Sequence, residues 1–443
     1  MKVRKSRRAK PIANTFFKNN RTRLAAELPL DALAIVWGNN TYIHNGDSNY
    51  PFRQNTSFYY LTGILEKNAV LLLMRKSDDS YDELLCVDEA GTYERLWTGS
   101  TFTHEKAAEI SGIRLIKPRS EFETHLNQWS TSVETLYFLL DEHRRRNPTA
   151  EATNLNYQNL LKIRERYPLH RYKRLAPLMK KLRSVKQPEE LEMIRSALAI
   201  TVAMLTAIKP LVKKGNLLEY ELQAELKRHL LLAGGADFAY EPIIAGNERS
   251  CILHYLTNDK WLGQAGHVLL DIGARYGEYN ADLTRVFPIG RQFLKRTAEI
   301  YDAVASVHDN VLAFMKPGLS FKAYQEYVRA TMTEALGKLG LITSSDEKKQ
   351  TEQYQKYFMH GISHFLGLEV HDVGDLTGDF KENMVLTLEP GIYVREEGIG
   401  VRLENDILIT SDGAVNLLAT ITPDKNTALL PTQREALENW LLT

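Results

Sequence analysis

Two apolar stretches each carry a pair of acids placed symmetrically about a turn. In HVLLDIGARYGEYNADLTRVFPIG, Asp271 and Asp282 are equidistant from a centre between Tyr276 and Gly277. That symmetry predicts a hairpin with the two carboxylates facing each other across the ladder, their Cβ atoms about 5 Å apart. Opposed carboxylates repel, and a cation between them is the direct remedy. The flanking runs VLLD and TRVF are too apolar for a solvated edge. In MVLTLEPGIYVREEGIGVRLENDILIT the pattern returns, with Glu389 and Glu404 equidistant from Glu396 and Glu397. Pro390 and Gly391 interrupt its first strand, so the register is less tightly specified there. Acids inside apolar strands are costly unless paired, and two such pairs in two similar units argue for one shared site.

Between the hairpins, YFMHGISHFLGLEVHDVG supplies His360, His364 and His371. The spacing of the first two matches a zinc-protease helix, but that motif needs Glu directly after the first His, and Gly361 stands there. Three histidines close together beside Gly361, Gly367 and Gly374 suggest a backbone approaching a site, with at least one of the three inside it. His44, His104, His125, His143, His170, His229, His267 and His308 read as ordinary core or surface residues. Two Asp, two Glu and one His form a set whose four negative charges balance two divalent cations. Oxygen-rich ligation without thiolates favours Mn, Co or Fe over a structural zinc. Paired metals roughly 3.5–4 Å apart polarise a carbonyl and lower the pKa of water toward about 7, so the chemistry implied is metal-assisted hydrolysis.

These residues need elements to hold them. QPEELEMIRSALAITVAMLTAIKP places Leu191, Ile194, Leu198, Val202, Leu205 and Ile208 at helical spacing behind Pro188, predicting a helix that ends at Pro210. A second helix is predicted from about Thr297 to Lys316. The segments from Lys209 and Lys316 share a Lys-Pro, a Gly-containing turn, a helix and a Gly stop, each followed by an acidic hairpin, which suggests a duplicated helix-and-sheet unit. Upstream, ALAIVWGNN, FYYLTG, AVLLLM, ELLCV and TLYFLL read as buried strands with helices between them. The fold class expected is an α/β N-terminal domain plus an α+β C-terminal domain. The expected limits are a basic tail 1–12, a first domain 13–175 and a second domain 176–443, with the junction in the basic stretch around Tyr172 to Arg183.

Composition narrows the functions open to this chain. Of 443 residues, 44% are hydrophobic, and 56 Lys+Arg balance 55 Asp+Glu, so no field demands a nucleic acid or another polyanion. Cys86 and Cys251 alone cannot build a disulfide framework or a thiolate zinc cage, which fits a reducing cytoplasm. No run approaches the ~18 consecutive apolar residues of a membrane span, and no secretory signal opens the chain. MKVRKSRRAK, with six basic residues, reads as a solvated tail.

The order Asp271, Asp282, His364, Glu389, Glu404, with the pieces DIG, DLTR, HGISHFLGLEVHD, LTLEPGIY and GVRLEND, resembles the pita-bread metallopeptidases, and more closely aminopeptidase P. SNYPFRQNTSFYYLTG followed by AVLLLM is similar to the amino-terminal domain of that branch. The resemblance implies that Asp271 chelates one metal, Asp282 and Glu404 bridge two, and His364 and Glu389 serve the second, with Glu389 also a general base. It implies substrate-contacting or proton-shuttling roles for His371 and His254, with His360 and Arg402 nearby. It further implies two divalent ions, Mn2+ first, and peptides with proline at the second position as substrates. A homo-oligomer, dimer or tetramer, is expected, in which Asp47 and Trp97 reach substrate at a neighbouring copy's active-site mouth. Neither nucleic acid nor membrane is an expected partner. The alternatives are prolidase, which cleaves Xaa-Pro dipeptides, and a metal-free peptide-binding module on the same fold.

Overall fold

The computed structural model describes residues 6–77, 80–140, 142, 155–421 and 430–442. The first five residues of the basic tail and His143 lie outside the described residues. The chain divides into two compact units, one spanning Pro11–Arg183 and the other joining the residues before Pro11 to Ser184–Thr443. The division falls eight residues beyond Leu175 because the helix Ala176–Ser184 packs Met179 and Leu182 with the first unit.

That first unit is built on a six-stranded mixed sheet. Its order is Ile116–Lys117, Ser80–Cys86, Val70–Ser77, Ala32–Trp37, Thr135–Phe138, Arg171–Arg174. ALAIVW is buried along its whole length because it runs between an antiparallel neighbour, Val70–Ser77, and a parallel one, Thr135–Phe138. One segment departs from expectation. FYYLTG is helical, within Thr56–Thr62, because the Asn55 side chain accepts from the backbone N–H groups of Ser57 and Phe58 and Gly63 closes the end at φ +70°. A short apolar run does not by itself separate strand from buried helix, and here the caps decide. The basic RYKR of Arg171–Arg174 is an edge strand, where Tyr172 stacks on Phe138 at 5.9 Å while its neighbours keep their charges in water.

The second unit shows the duplication. Helices Pro188–Lys214 and Glu219–Ala233 precede strands Ile243–Gly246, Gly266–Ile272 and Leu283–Ile289; helices Lys295–Phe314 and Phe321–Lys338 precede Val385–Leu388, Gly391–Val394, Ile399–Arg402 and Asn405–Ile409. The first helix opens with a capping box between Gln187 and Glu190 and runs through Pro210 to Lys214, one turn past the predicted stop. Proline removes only one N–H, and the last turn is held by buried Val212 and by the Gly215 N–H bonded to Leu211 and Val212. By length and composition this helix could cross a membrane, but Ile194, Leu198, Val202, Leu205 and Ile208 are buried inside the unit.

The first acidic hairpin is offset from the predicted register. Asp271 pairs with Thr284 and Ile272 with Leu283, while Tyr276 pairs with Tyr279 around a two-residue turn at Gly277 and Glu278. Both turn residues have positive φ, +57° and +68°, the backbone that matches strand twist in tight hairpins. The turn therefore sits one residue later than the acid symmetry implies, and Asp282 lies diagonal to Asp271 on the same face instead of directly opposite. In the second hairpin Leu388 pairs with Asn405 and Gly391 with Arg402, a register that puts Glu389 opposite Glu404 at the break between strands, as the symmetry predicts.

Candidate metal centre

The diagonal placement of Asp271 and Asp282 still brings their carboxylates together, because the Tyr240 hydroxyl hydrogen-bonds to Oδ1 of both. One phenolic proton shared between two carboxylates leaves charge unbalanced at that point. Burial first, then Asp271 and Asp282, push the Tyr240 pKa well above its ordinary value, so the phenol stays protonated.

The two halves of the duplication meet at these acids. The Glu404 N–H donates to the Thr284 carbonyl at 3.1 Å, and the Thr284 hydroxyl donates to Glu404 Oε2 at 2.7 Å. The Asp282 N–H donates to Asp406 Oδ2 at 3.3 Å. His364 faces the same point, with Nε2 3.5 Å from Asp282 Oδ2 and 3.5 Å from Glu389 Oε1. Its backbone is fixed by a bond from its N–H to Thr387 Oγ1 at 3.1 Å. Asp282, His364 and Glu404 each offer a ligand atom, and the three atoms lie within 4.8 Å of one another. Asp282 and Glu404 are only 4% and 2% exposed. Burial, followed by Asp271, raises the Asp282 pKa well above normal; burial, followed by Asp282, does the same to Glu404. Such a cluster keeps its charge only beside cations, which fits a divalent metal centre with mainly oxygen donors.

A second ring of contacts surrounds the acids. Arg402 Nη2 donates to Asp271 Oδ2 at 2.6 Å and Nη1 to the Tyr393 hydroxyl at 2.8 Å. Tyr393 contacts His360 Nε2 at 2.8 Å, and His360 Nδ1 lies 3.8 Å from Glu389 Oε2. Burial pushes the Tyr393 pKa up to about 12, with Arg402 opposing. The ring of His371 stands edge-on to His364, centroids 4.3 Å apart, and is exposed.

Not every candidate joins the cluster. His254 is exposed beyond the turn Asn247–Cys251 and makes no hydrogen bond or ion pair among the described residues. Asp47 lies in the tight turn between strands Ile43–Asn45 and Ser48–Asn49. Trp97 ends the helix Thr92–Trp97, 70% exposed and tilted against Tyr93 at 5.7 Å. Both belong to the N-terminal unit and both are at its surface.

Conversely, Tyr240, Thr284, Tyr393 and Asp406 contact the acids or their partners without having been singled out from the sequence. Strand alternation could have found two of them, since Thr284 follows Asp282 and Asp406 follows Glu404 by one strand period. Nothing in the spacing marks Tyr240, which reaches Asp271 from 31 residues upstream.

Residues 192–411 match metallopeptidase family M24, and residues 17–137 match the aminopeptidase P N-terminal domain. The Xaa-Pro aminopeptidase of Escherichia coli strain K12 is 30% identical over 96% of this chain and 99% of its own length. The Haemophilus influenzae Xaa-Pro aminopeptidase is also 30% identical, over 91% of this chain and 94% of its own. The solved structure of E. coli aminopeptidase P with the inhibitor Pro-Leu superposes with a TM-score of 0.83 at 29% identity, covering 98% of this chain and 99% of that one. With the acids, the histidine and the duplicated scaffold in place, the chain belongs to metallopeptidase family M24, in its aminopeptidase P branch.

Proposed function

We propose that this protein is an Xaa-Pro aminopeptidase, a metal-dependent hydrolase that releases the first residue of peptides whose second residue is proline. The observation that carries the reading is the convergence of Asp282, His364 and Glu404 on one point, with Asp271 and Glu389 beside them. Two divalent cations, Mn2+ by preference for oxygen donors, would be held by Asp271, Asp282, His364, Glu389 and Glu404. Bound there, they supply Lewis acidity for the scissile carbonyl and for water.

The chain's own residues supply the rest. Glu389, part-exposed and flanked by His360 and His364, is placed to take a proton from the attacking water. Arg402 holds Asp271 in orientation while Tyr393 ties Arg402 to His360. His371, exposed beside His364, and His254 are assigned to substrate contact and proton transfer to the departing nitrogen. That nitrogen belongs to a tertiary amide without an N–H, so the site must recognise the pyrrolidine ring instead of an amide donor.

Buried free thiols at Cys86 and Cys251 support a cytoplasmic setting. The exposed Trp97 and Asp47 support a homo-oligomer in which a second copy's N-terminal unit completes the substrate mouth; sedimentation of the active protein tests that assembly. Prolidase is separated by substrate length. Assayed with added manganese, Xaa-Pro-Xaa tripeptides should be cleaved with kcat/KM at least about tenfold above Xaa-Pro dipeptides. The reverse preference would make the protein a dipeptidase.

A further inference from the structure

Behind the exposed His371 lies a buried ion pair. Lys186 Nζ donates to Asp372 Oδ2 at 3.0 Å, and the two side chains are 0% and 2% exposed. Asp372 directly follows His371, and its other oxygen accepts from the Val373 N–H at 2.9 Å. The Asp372 N–H donates to the Phe365 carbonyl at 2.8 Å, so the segment 365–372 closes into a loop with His364 and His371 at its two ends.

That loop is tight enough to require Gly367. A Cβ there would lie 2.2 Å from Asp372 Oδ2 and 2.9 Å from Lys186 Nζ. The Gly367 carbonyl also accepts from the backbone and side-chain N–H groups of Asn280, both at 3.0 Å, two residues before Asp282. Lys186 is anchored from the far side, where its N–H donates to the Asn383 carbonyl at 2.8 Å. One turn on, fully buried Glu190 also feels this cation. Burial raises its pKa to about 7, Lys186 opposes the rise, and Asp372 adds to it. One lysine thus serves two buried acids, a costly arrangement for a residue with no role beyond filling space.

We propose that Lys186, acting through Asp372, is a positioning residue that fixes the His371 imidazole edge-on to His364 for catalysis. It acts by holding the turn on which His371 sits, and a displacement of about 1 Å there is worth about 10²-fold in rate. The role rests on the peptidase reading above, since His371 needs a reaction to serve.

Lys186→Met alone leaves Asp372 buried without its cation, so the pair variant Lys186→Met with Asp372→Asn, which removes both charges, is the primary test. On an Xaa-Pro-Xaa tripeptide with the manganese-loaded protein, it should lower kcat by about 10²-fold, with KM within about twofold and bound metal unchanged. In a His371→Ala background the same two changes should cost less than about threefold, because the residue they position is already gone. Amide exchange of residues 365–374, measured without substrate, should accelerate in the pair variant. An additive loss in the His371→Ala background, lost metal, an undiminished kcat, unchanged exchange or failure of the pair variant to fold would each overturn the role. An inactive wild type would overturn the peptidase reading and this role together, whereas an active wild type with an additive cycle overturns this role alone.

Discussion

Burial shifts the protonation of several side chains in this protein, and His267 shows the consequence most cleanly. It is 3% exposed, its Nε2 meets Ser250 Oγ at 2.9 Å, and burial lowers its pKa to about 4 from an ordinary 6.5. Between those values the unfolded chain binds a proton that the folded chain refuses. Its stabilising contribution is therefore full above about pH 6.5 and is lost as pH falls toward about 4. At about 1.4 kcal/mol per unit, the loss approaches roughly 3 kcal/mol. Urea midpoints across this window should show wild type losing more stability than His267→Gln; parallel curves would contradict the assignment. The sequence places His267 among the unremarkable histidines, correctly. It cannot show the shift, which comes from neighbours brought in by the fold. Tyr240 illustrates the same limit, since a lone tyrosine before the first hairpin has no spacing relation to Asp271 and Asp282. The acids themselves were legible because charge inside an apolar strand is conspicuous in the text alone.

At the scale of elements, the acid symmetry located both hairpins but fixed only one register. In the second, a break at Glu389 and Pro390 left the pairing symmetric about Glu396 and Glu397. In the first, the turn at Gly277 and Glu278 displaced it by one residue per strand, because positive-φ turn geometry, not carboxylate symmetry, sets a hairpin's centre. This turn sets Asp282 diagonal to Asp271 on one face. Gly277→Ala should cost about 1–2 kcal/mol, from left-handed backbone on a residue with a Cβ and from crowding of Met193 Sδ, 2.5 Å from the added atom. Metal affinity should weaken with it, read by chelator competition. Unaltered stability and affinity would show that the turn does not govern the site. Similarly, Thr56–Thr62 was legible only through its caps, Asn55 and Gly63, and the edge strand Arg171–Arg174 had no apolar alternation to announce it.

Across the whole molecule, the duplicated helix-and-hairpin unit could be read from the paired Lys-Pro and Gly stops because duplication repeats punctuation as well as pattern. The division between units was legible only to within about ten residues, since the helix Ala176–Ser184 packs on one side without any compositional break to mark it. The proposed chemistry rests on charge at the meeting of the two halves. Asp282 and Glu404 converge on one point with Asp271 and Glu389 beside them, and burial disfavours ionised Asp282 and Glu404 unless cations accompany them. The most direct test measures bound divalent metal, melting temperature and release of the first residue from an Xaa-Pro-Xaa tripeptide on one preparation, before chelation, after it, and after manganese is returned. About two ions per chain should be found, with activity and several degrees of melting temperature lost together on chelation and regained together. Full turnover by protein shown to be metal-free would contradict that chemistry.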